Sequence, residues 1–144
     1  MRIDVARAHV ENLLRQFLEV PTLTVDDDGD IPIRSGSMVY FVRIVESEPH
    51  FLTLFAPIVR NVAASPELYE RLNEINALVR WCRIYWQGET IYLETELIAE
   101  TVDAEELARA CGAISHVGDA HDDELAARFG GDVFFEDSAD STAV

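Results

Sequence analysis

Two apolar runs near the middle of the chain constrain its fold more than any other feature. Residues 38–46 read MVYFVRIVE and residues 51–59 read FLTLFAPIV, and the short polar cluster between them predicts a turn. A strand with only one covered face should alternate between apolar and polar residues. Both runs instead carry apolar side chains on both faces, so we expect a sheet with more apolar surface than a few helices can cover.

The rest of the chain predicts three helices and further strands around these runs. Apolar residues at the helical spacing predict helices at residues 3–18, at 65–79 with Ser65 as the N-cap, and from Asp103 to about residue 129. Short segments bounded by turn residues predict strands at residues 23–25, 30–34, 80–86 and 90–98. The resulting order, α-β-β-β-β-α-β-β-α, predicts an α+β fold with an antiparallel sheet.

A length of 144 residues predicts one domain with a core of its own. We expect this domain to span residues 1–131, because the two glycines of ARFGG stop the last helix. Residues 132–144 end in EDSADSTAV and hold few apolar side chains. We therefore expect them to form an acidic, flexible C-terminal tail.

The charge of the chain argues against two classes of partner. Eleven basic residues stand against 27 acidic ones, which gives a formal net charge of −16. Such a charge repels the phosphates of nucleic acids and the anionic surface of a membrane. We therefore expect neither a nucleic acid nor a membrane as partner.

The cysteines and the apolar segments indicate a cytoplasmic protein. Cys82 and Cys111 stand in apolar surroundings without CxxC spacing, which favours buried free thiols in a reducing compartment. We recognise no signal peptide, and no apolar run reaches the length that spans a membrane.

The aspartate-rich segment VDDDGDIPIRSG, residues 25–36, raises the question of a metal site. Counted from Asp26, glycine falls at position 4 instead of 6 and Ser37 occupies the position of the EF-hand glutamate, so a tight acidic turn is favoured over calcium. A second group has poor helical spacing for a shared metal: His116, Asp119, His121 and Asp122. We expect no metal.

We find no pattern that predicts catalysis. The serines lack a GxSxG elbow, and no phosphate loop or GxGxxG fingerprint is present. Glu94 and Glu96 share one face of a strand, where acid-base work is one alternative and a solvated strand face is the favoured one. We expect no catalytic residue, no cofactor and a non-enzymatic protein.

The helix and hairpin in the second half of the chain carry polar and aromatic residues of interest. Asn73 and Asn76 stand three apart on one helix face, where we favour a tie to the neighbouring hairpin over contact with a ligand. Trp81, Tyr85 and Tyr92 fall on one face of the hairpin and have the mixed setting of a contact surface, although core packing is also open.

Five segments, in their order and spacing, resemble a known family: GDIPIRSGSMVYFVRI, FAPIVRNV, SPELYERLNEIN, WCRIYWQGETIYLETEL and ARFGG. Over residues 5–131 the chain resembles actinobacterial YbjN-like domains, which are grouped with type III secretion chaperones as peptide-binding chaperones. The resemblance implies helices against a curved antiparallel sheet, a tendency to dimerise, and client segments bound in extended form through apolar patches and strand edges. It implies no catalytic residue.

Our first hypothesis is a non-enzymatic, homodimeric, chaperone-like module that shields an extended peptide or a partner protein. Its contacts with a partner or with a second copy are predicted at Val39, Phe41, Phe51, Phe55, Trp81 and Tyr85, although all six could instead be core residues. The second hypothesis is a regulatory or scaffolding protein that binds one folded partner without chaperone action. A third, an enzyme or small-ligand binder with a buried pocket, stays open.

Overall fold

The structure, a computed structural model, describes residues 2–36, residues 38–134 and the backbone of residues 142–143. In chain order the elements are α1 (Ile3–Leu18), β1 (Ile31–Ser35), β2 (Met38–Val45), β3 (Phe51–Arg60), α2 (Pro66–Leu78), β4 (Arg83–Gln87), β5 (Thr90–Ile98), α3 (Ala104–Phe129), β6 (Asp132–Val133) and β7 (Thr142–Ala143). The sheet order is β4-β5-β3-β2-β1-β7, and β6 pairs with β3. Strands β1 to β5 pair antiparallel, so the predicted α+β class is confirmed.

The predicted starts of α2 and α3 are confirmed by their capping contacts. The Ser65 hydroxyl accepts the backbone N–H of Leu68 at 3.1 Å. At the start of α3, the Asp103 carboxylate accepts the N–H of Glu106 at 2.8 Å, and the Glu106 carboxylate accepts the N–H of Asp103 at 3.3 Å. Each contact satisfies a donor that a helix N-terminus leaves unpaired.

The predicted strand at residues 23–25 is wrong, so three strands precede α2 instead of four. The N–H of Asp26 does bond the carbonyl of Asp30 at 2.8 Å, across the predicted turn. However, the Asp26 carboxylate also accepts the N–H groups of Asp28 and Asp30, so the turn closes on itself within residues 26–30. Val25 is exposed, whereas Leu23 is half-buried and packs against the core without forming a strand.

The predicted strand at residues 80–86 begins later than expected, at Arg83. Trp81 has φ of +68°, in the left-handed region that bulky residues rarely adopt, and the chain therefore turns before it can pair. The partner strand β5 has the predicted bounds, residues 90–98.

The helices cover one face of the sheet, and the hydrophobic core lies between them. Side chains on this covered face are buried, among them Tyr40, Leu54 and Leu93. Gly118 of α3 is also buried. It packs so closely on the Met38 side chain that a Cβ at this position would overlap it. Helix α3 can therefore approach the sheet closely at this point. Among the described residues, no helix combines the length and the apolar character that spanning a membrane requires.

Helix α3 ends at two adjacent glycines. Gly130 adopts φ of +77° and ends α3, while a Cβ on Gly131 would lie 2.7 Å from the Arg60 carbonyl oxygen. This close approach brings β6 against the end of β3. Within the predicted flexible tail, 132–144, the short strands β6 and β7 are described, but residues 135–141 and 144 lie outside the described residues. The flexibility of the tail stays a prediction.

Candidate functional site

The face of the sheet opposite the helices, called the open face below, carries paired aromatic side chains. Phe41 of β2 and Phe55 of β3 are register partners, and their rings stack with centroids 5.4 Å apart. Tyr85 and Tyr92 stack in the same way across β4 and β5, at 5.5 Å. All four are only half-buried. The open face therefore presents flat, ordered apolar surface.

A groove of about 620 Å³ lies on the open face. Its lining includes Phe41, Phe55, Pro57 and Tyr92 from the strands, Asp26, Asp27, Asp28 and Asp30 from the turn before β1, and Arg43, Arg60 and Phe134. The guanidinium of Arg43 lies 4.8 Å from the ring centroid of Phe55, and that of Arg60 lies 4.1 Å from the ring centroid of Phe134. The groove thus has an aromatic floor, an acidic rim and a cation beside Phe134.

An ion pair between Asp30 and Arg43 joins the acidic rim to strand β2. Asp30 is buried, and its two carboxylate oxygens accept Nε and Nη2 of Arg43, both at 2.7 Å. This hydrogen-bonded pair raises the pKa of Arg43. The carboxylate oxygens of Asp26, Asp28 and Asp30 come within 4.8 Å of one another, but those of Asp26 and Asp30 already bind N–H donors. The arrangement is that of a braced acidic turn.

A second polar group on the open face joins β4 to β5. Arg83 binds the carboxylates of Glu94 and Glu96, and the Tyr85 hydroxyl donates to Glu94 at 2.6 Å. Burial raises the pKa of Glu94, but the hydrogen bonds from its neighbours outweigh burial and leave that pKa below its ordinary value. Glu96 is exposed as predicted, whereas Glu94 is buried, so the interpretation of both as a solvated face is wrong for Glu94.

Both edges of the sheet are partly occupied. At the β4 edge, the side-chain amide of Asn76 donates to the carbonyl of Ile84 and accepts its N–H, each at 2.8 Å. The predicted tie between helix and hairpin is thus confirmed for Asn76, while Asn73 is exposed. At the other edge, β7 pairs with β1 at Ile33 and Arg34. Neither edge is a bare row of backbone donors and acceptors.

The connection between α2 and β4 exposes a pair of apolar side chains. Leu78 at the end of α2 is 80% exposed, and Trp81 is 45% exposed. We call these two residues the apolar corner. They are two of the large apolar side chains that the described part of the chain leaves exposed.

The six predicted contact residues occupy different places. Phe41, Phe55 and Tyr85 lie on the open face, with Phe51 further along β3, where it pairs with Val45 and Ile98. Trp81 belongs to the apolar corner. Val39 is only 2% exposed and offers almost no area to a partner in this conformation. Of the six, the structure shows Phe41 and Phe55 in direct contact, and Tyr85 stacks on Tyr92 instead. Contact of the six residues with a partner stays a prediction.

Sequence reasoning missed the two arginines that line the groove. Arg43 and Arg60 interrupt or end apolar strands, and an arginine among apolar residues was the available signal. The role of each arginine depends on its neighbours in the fold. Arg43 contacts Asp30 and Phe55, and Arg60 contacts Phe134, and the sequence alone does not show these contacts.

The other reactive side chains do not form a site in the described part of the chain. No ligand cluster forms around His116 and His121, since the carboxylates of the turn before β1 are the one group of metal-binding side chains that meets there. Cys82 and Cys111 are both free. Burial raises the pKa of the Cys111 thiol to about 11, so the thiol stays protonated and unreactive at neutral pH.

Comparison with known proteins gives one family and several similar folds. Residues 4–137 match the family model described as "T3SS (YopN, CesT) and YbjN peptide-binding chaperone 1". No curated protein sequence matches the chain.

Three solved structures share the fold. The structure of the ExsC-ExsE complex matches with a TM-score of 0.61 and 15% identity, over 85% of this chain and 93% of that chain. The HopA1-SchA chaperone-effector complex matches with 0.63 and 10%, over 81% and 92%. The Yersinia pestis type III secretion chaperone SycH, in complex with a fragment of YscM2, matches with 0.58 and 14%, over 80% and 98%.

Proposed function

From the premise that this chain belongs to the family of T3SS and YbjN peptide-binding chaperones, we propose that it binds an extended segment of a client protein on the open face. The single observation that carries the proposal is the half-buried aromatic floor of Phe41, Phe55 and Tyr92, in a groove whose lining includes no residue of the described helices. Ordered aromatic side chains give a large contact area with little loss of side-chain entropy on binding.

The occupied edges favour the face over the edge as the place of binding. Strand addition needs a row of unpaired backbone groups, and Asn76 already holds both groups of Ile84. The β1 edge carries β7 over two residues. A client segment laid across the aromatic floor needs neither edge to open.

An array of extended, apolar peptides tests the proposal, with the wild-type chain as the probe. We expect binding of several peptides and its loss, by about tenfold or more in affinity, in Phe55→Ser. Val5→Ser is the matched control, because Val5 is an exposed apolar residue on α1, away from the open face. Circular dichroism of both variants establishes that they are folded. If no peptide binds, or if the two variants lose binding equally, the proposal fails.

We also propose that two copies pair through the apolar corner of Leu78 and Trp81. The exposure of these two side chains supports this arrangement, because pairing would remove their apolar surface from water. Light scattering coupled to gel filtration should give a dimer for the wild type and a monomer for Leu78→Ser/Trp81→Ser. A wild-type monomer contradicts the dimer and leaves the client site on the open face in place.

The rival hypothesis, a scaffold for one folded partner, differs in what co-purifies with the chain. Clients in extended form should vary in identity and compete with the array peptides for the open face. One folded protein at fixed stoichiometry, indifferent to Phe55→Ser, would favour the scaffold.

We further propose that the protein works in the cytoplasm and without catalysis. The free thiols of Cys82 and Cys111 suit a reducing compartment. The family and the fold are those of chaperones, which act by binding. Cell fractionation with an antibody against the chain tests the location.

A further inference from the structure

We infer that the groove selects client segments in which an aromatic or large aliphatic side chain lies close to an arginine or lysine. The inference rests on the proposed function and adds the chemistry of the client. It follows from the described aspartates around the aromatic floor, of which only Asp30 forms an ion pair with an arginine.

The floor accepts the apolar part of such a segment. Phe41, Phe55, Pro57 and Tyr92 present rings and a proline face toward the groove. A flat side chain of the client can stack there, as the two phenylalanines already stack on each other. In an extended segment, every second residue points to the same side, so a neighbouring side chain two positions away also faces the groove.

The acidic rim leaves negative charge that the chain itself does not neutralise. Arg43 is committed to Asp30 through two hydrogen bonds, and the Asp26 carboxylate accepts two backbone N–H groups. Asp27 and Asp28 are exposed and take part in none of the ion pairs found among residues 2–36 and 38–134, although Asp28 lies within the electrostatic reach of Arg43. Their carboxylates therefore remain open to a cation from outside.

A side-chain cation fits this rim better than a divalent metal does. A hard divalent ion needs several oxygen ligands at once, and two of the three clustered carboxylates already hold N–H donors. A guanidinium or ammonium group needs only the outward oxygens of Asp27 and Asp28. The net charge of −16 also draws positively charged segments toward the chain before contact.

Arg60 adds a positive charge to the lining of the groove. Its guanidinium stacks on Phe134, and both residues line the groove that the acidic rim also borders. A client cation is attracted at the aspartate rim and repelled beside Arg60.

The test uses three labelled peptides of about 12 residues that share an alternating phenylalanine and serine background. They differ at one residue two positions from the central phenylalanine, which is arginine, glutamine or glutamate. By fluorescence anisotropy with the full chain, we expect the arginine peptide to bind about tenfold more tightly than the glutamine peptide, and the glutamate peptide to bind most weakly. The difference should shrink as salt rises from about 0.05 to about 0.5 M.

Two double variants locate the effect. Asp27→Asn/Asp28→Asn should lose most of the preference for arginine, measured as the ratio of its affinities for the arginine and glutamine peptides. Asp119→Asn/Asp123→Asn removes the same formal charge from exposed positions on α3 and should keep the preference. Equal loss in both variants assigns the preference to the whole-chain field and overturns the inference.

The peptides also separate the two proposals. Equal affinity for all three peptides overturns the inference about basic segments while the proposed function stands. If none of the three binds and the apolar array is also silent, the proposed function itself fails.

Discussion

The covered face and the open face of the sheet are built from alternating residues of the same strands, yet they differ in burial and in the contacts that order their side chains. On β3, Leu54 is fully buried under the helices, whereas its neighbour Phe55 is half-buried and stacked on Phe41. The covered face is sealed by aliphatic packing. The open face is ordered by ring stacking and by the ion pairs of Arg43 and Arg83. Apolar content alone therefore does not distinguish the covered face from the open face, whereas the neighbouring charges do.

Truncation of the covered face should have the largest effect on stability. Leu54→Ala removes a fully buried side chain and leaves a cavity, so we expect a loss of about 2–5 kcal/mol in the free energy of unfolding. Urea unfolding followed by circular dichroism measures it. Peptide affinity of the folded fraction should not change. A loss below about 1 kcal/mol would contradict the assignment of this face as the core.

Truncation of the next residue, Phe55, should cost less stability than truncation of Leu54 and should weaken peptide binding. Phe55→Ala loses a half-buried ring and its stack with Phe41, so we expect about 1–2 kcal/mol of destabilisation together with a loss of peptide affinity. Unfolding and anisotropy measurements on one preparation give both values. If Phe55→Ala proves as destabilising as Leu54→Ala with unchanged affinity, the two faces do not differ as we describe.

Acid should weaken the open face through Glu94. Because the hydrogen bonds from Tyr85 and Arg83 outweigh burial, the pKa of Glu94 in the folded chain lies below its unfolded value. Its contribution is therefore present above the unfolded pKa and is lost as the pH falls through the folded pKa. We expect Glu94→Gln to cost about 1 kcal/mol at neutral pH and nothing in strong acid. Unfolding at a series of pH values checks this; a cost independent of pH would contradict it.

The smallest effect is expected on the covered face, at the Tyr40 hydroxyl. This oxygen is buried next to the Cys111 thiol, and within the described residues it has no hydrogen-bond partner of good geometry. Tyr40→Phe should change the free energy of unfolding by less than about 0.5 kcal/mol, because removing an unsatisfied polar atom loses no contact. A loss above about 1 kcal/mol would reveal a strong partner for the hydroxyl.

Most of the elements could be predicted because their signals are local. The Ser65 cap and the box of Asp103 with Glu106 are written within four residues of chain, and the structure shows both contacts. The failures came where one local signal competed with another. Residues 23–25 have a strand-like composition, but the Asp26 carboxylate accepts the N–H groups of Asp28 and Asp30 and closes a tight turn directly after them.

The candidate site could be predicted only in part. Phe41, Phe55 and Tyr85 were predicted as contacts, because aromatic residues on two-faced strands indicate surface that needs cover. Val39 was predicted with them, although the fold buries it within the chain. Strand alternation places residues on a face but does not say how deeply neighbouring segments cover each position.

The helices, the principal strands and the large apolar content can be read from the chain, because spacing and capping act over a few residues. The face that the helices cover cannot be read in this way, because it depends on contacts such as Gly118 against Met38, which are far apart in the chain. The tertiary structure likewise decided that Asp30 takes up the charge of Arg43 and that Asn76 holds the β4 edge. Charged and polar groups compensate each other according to their distance in space, and the sequence alone does not give that distance.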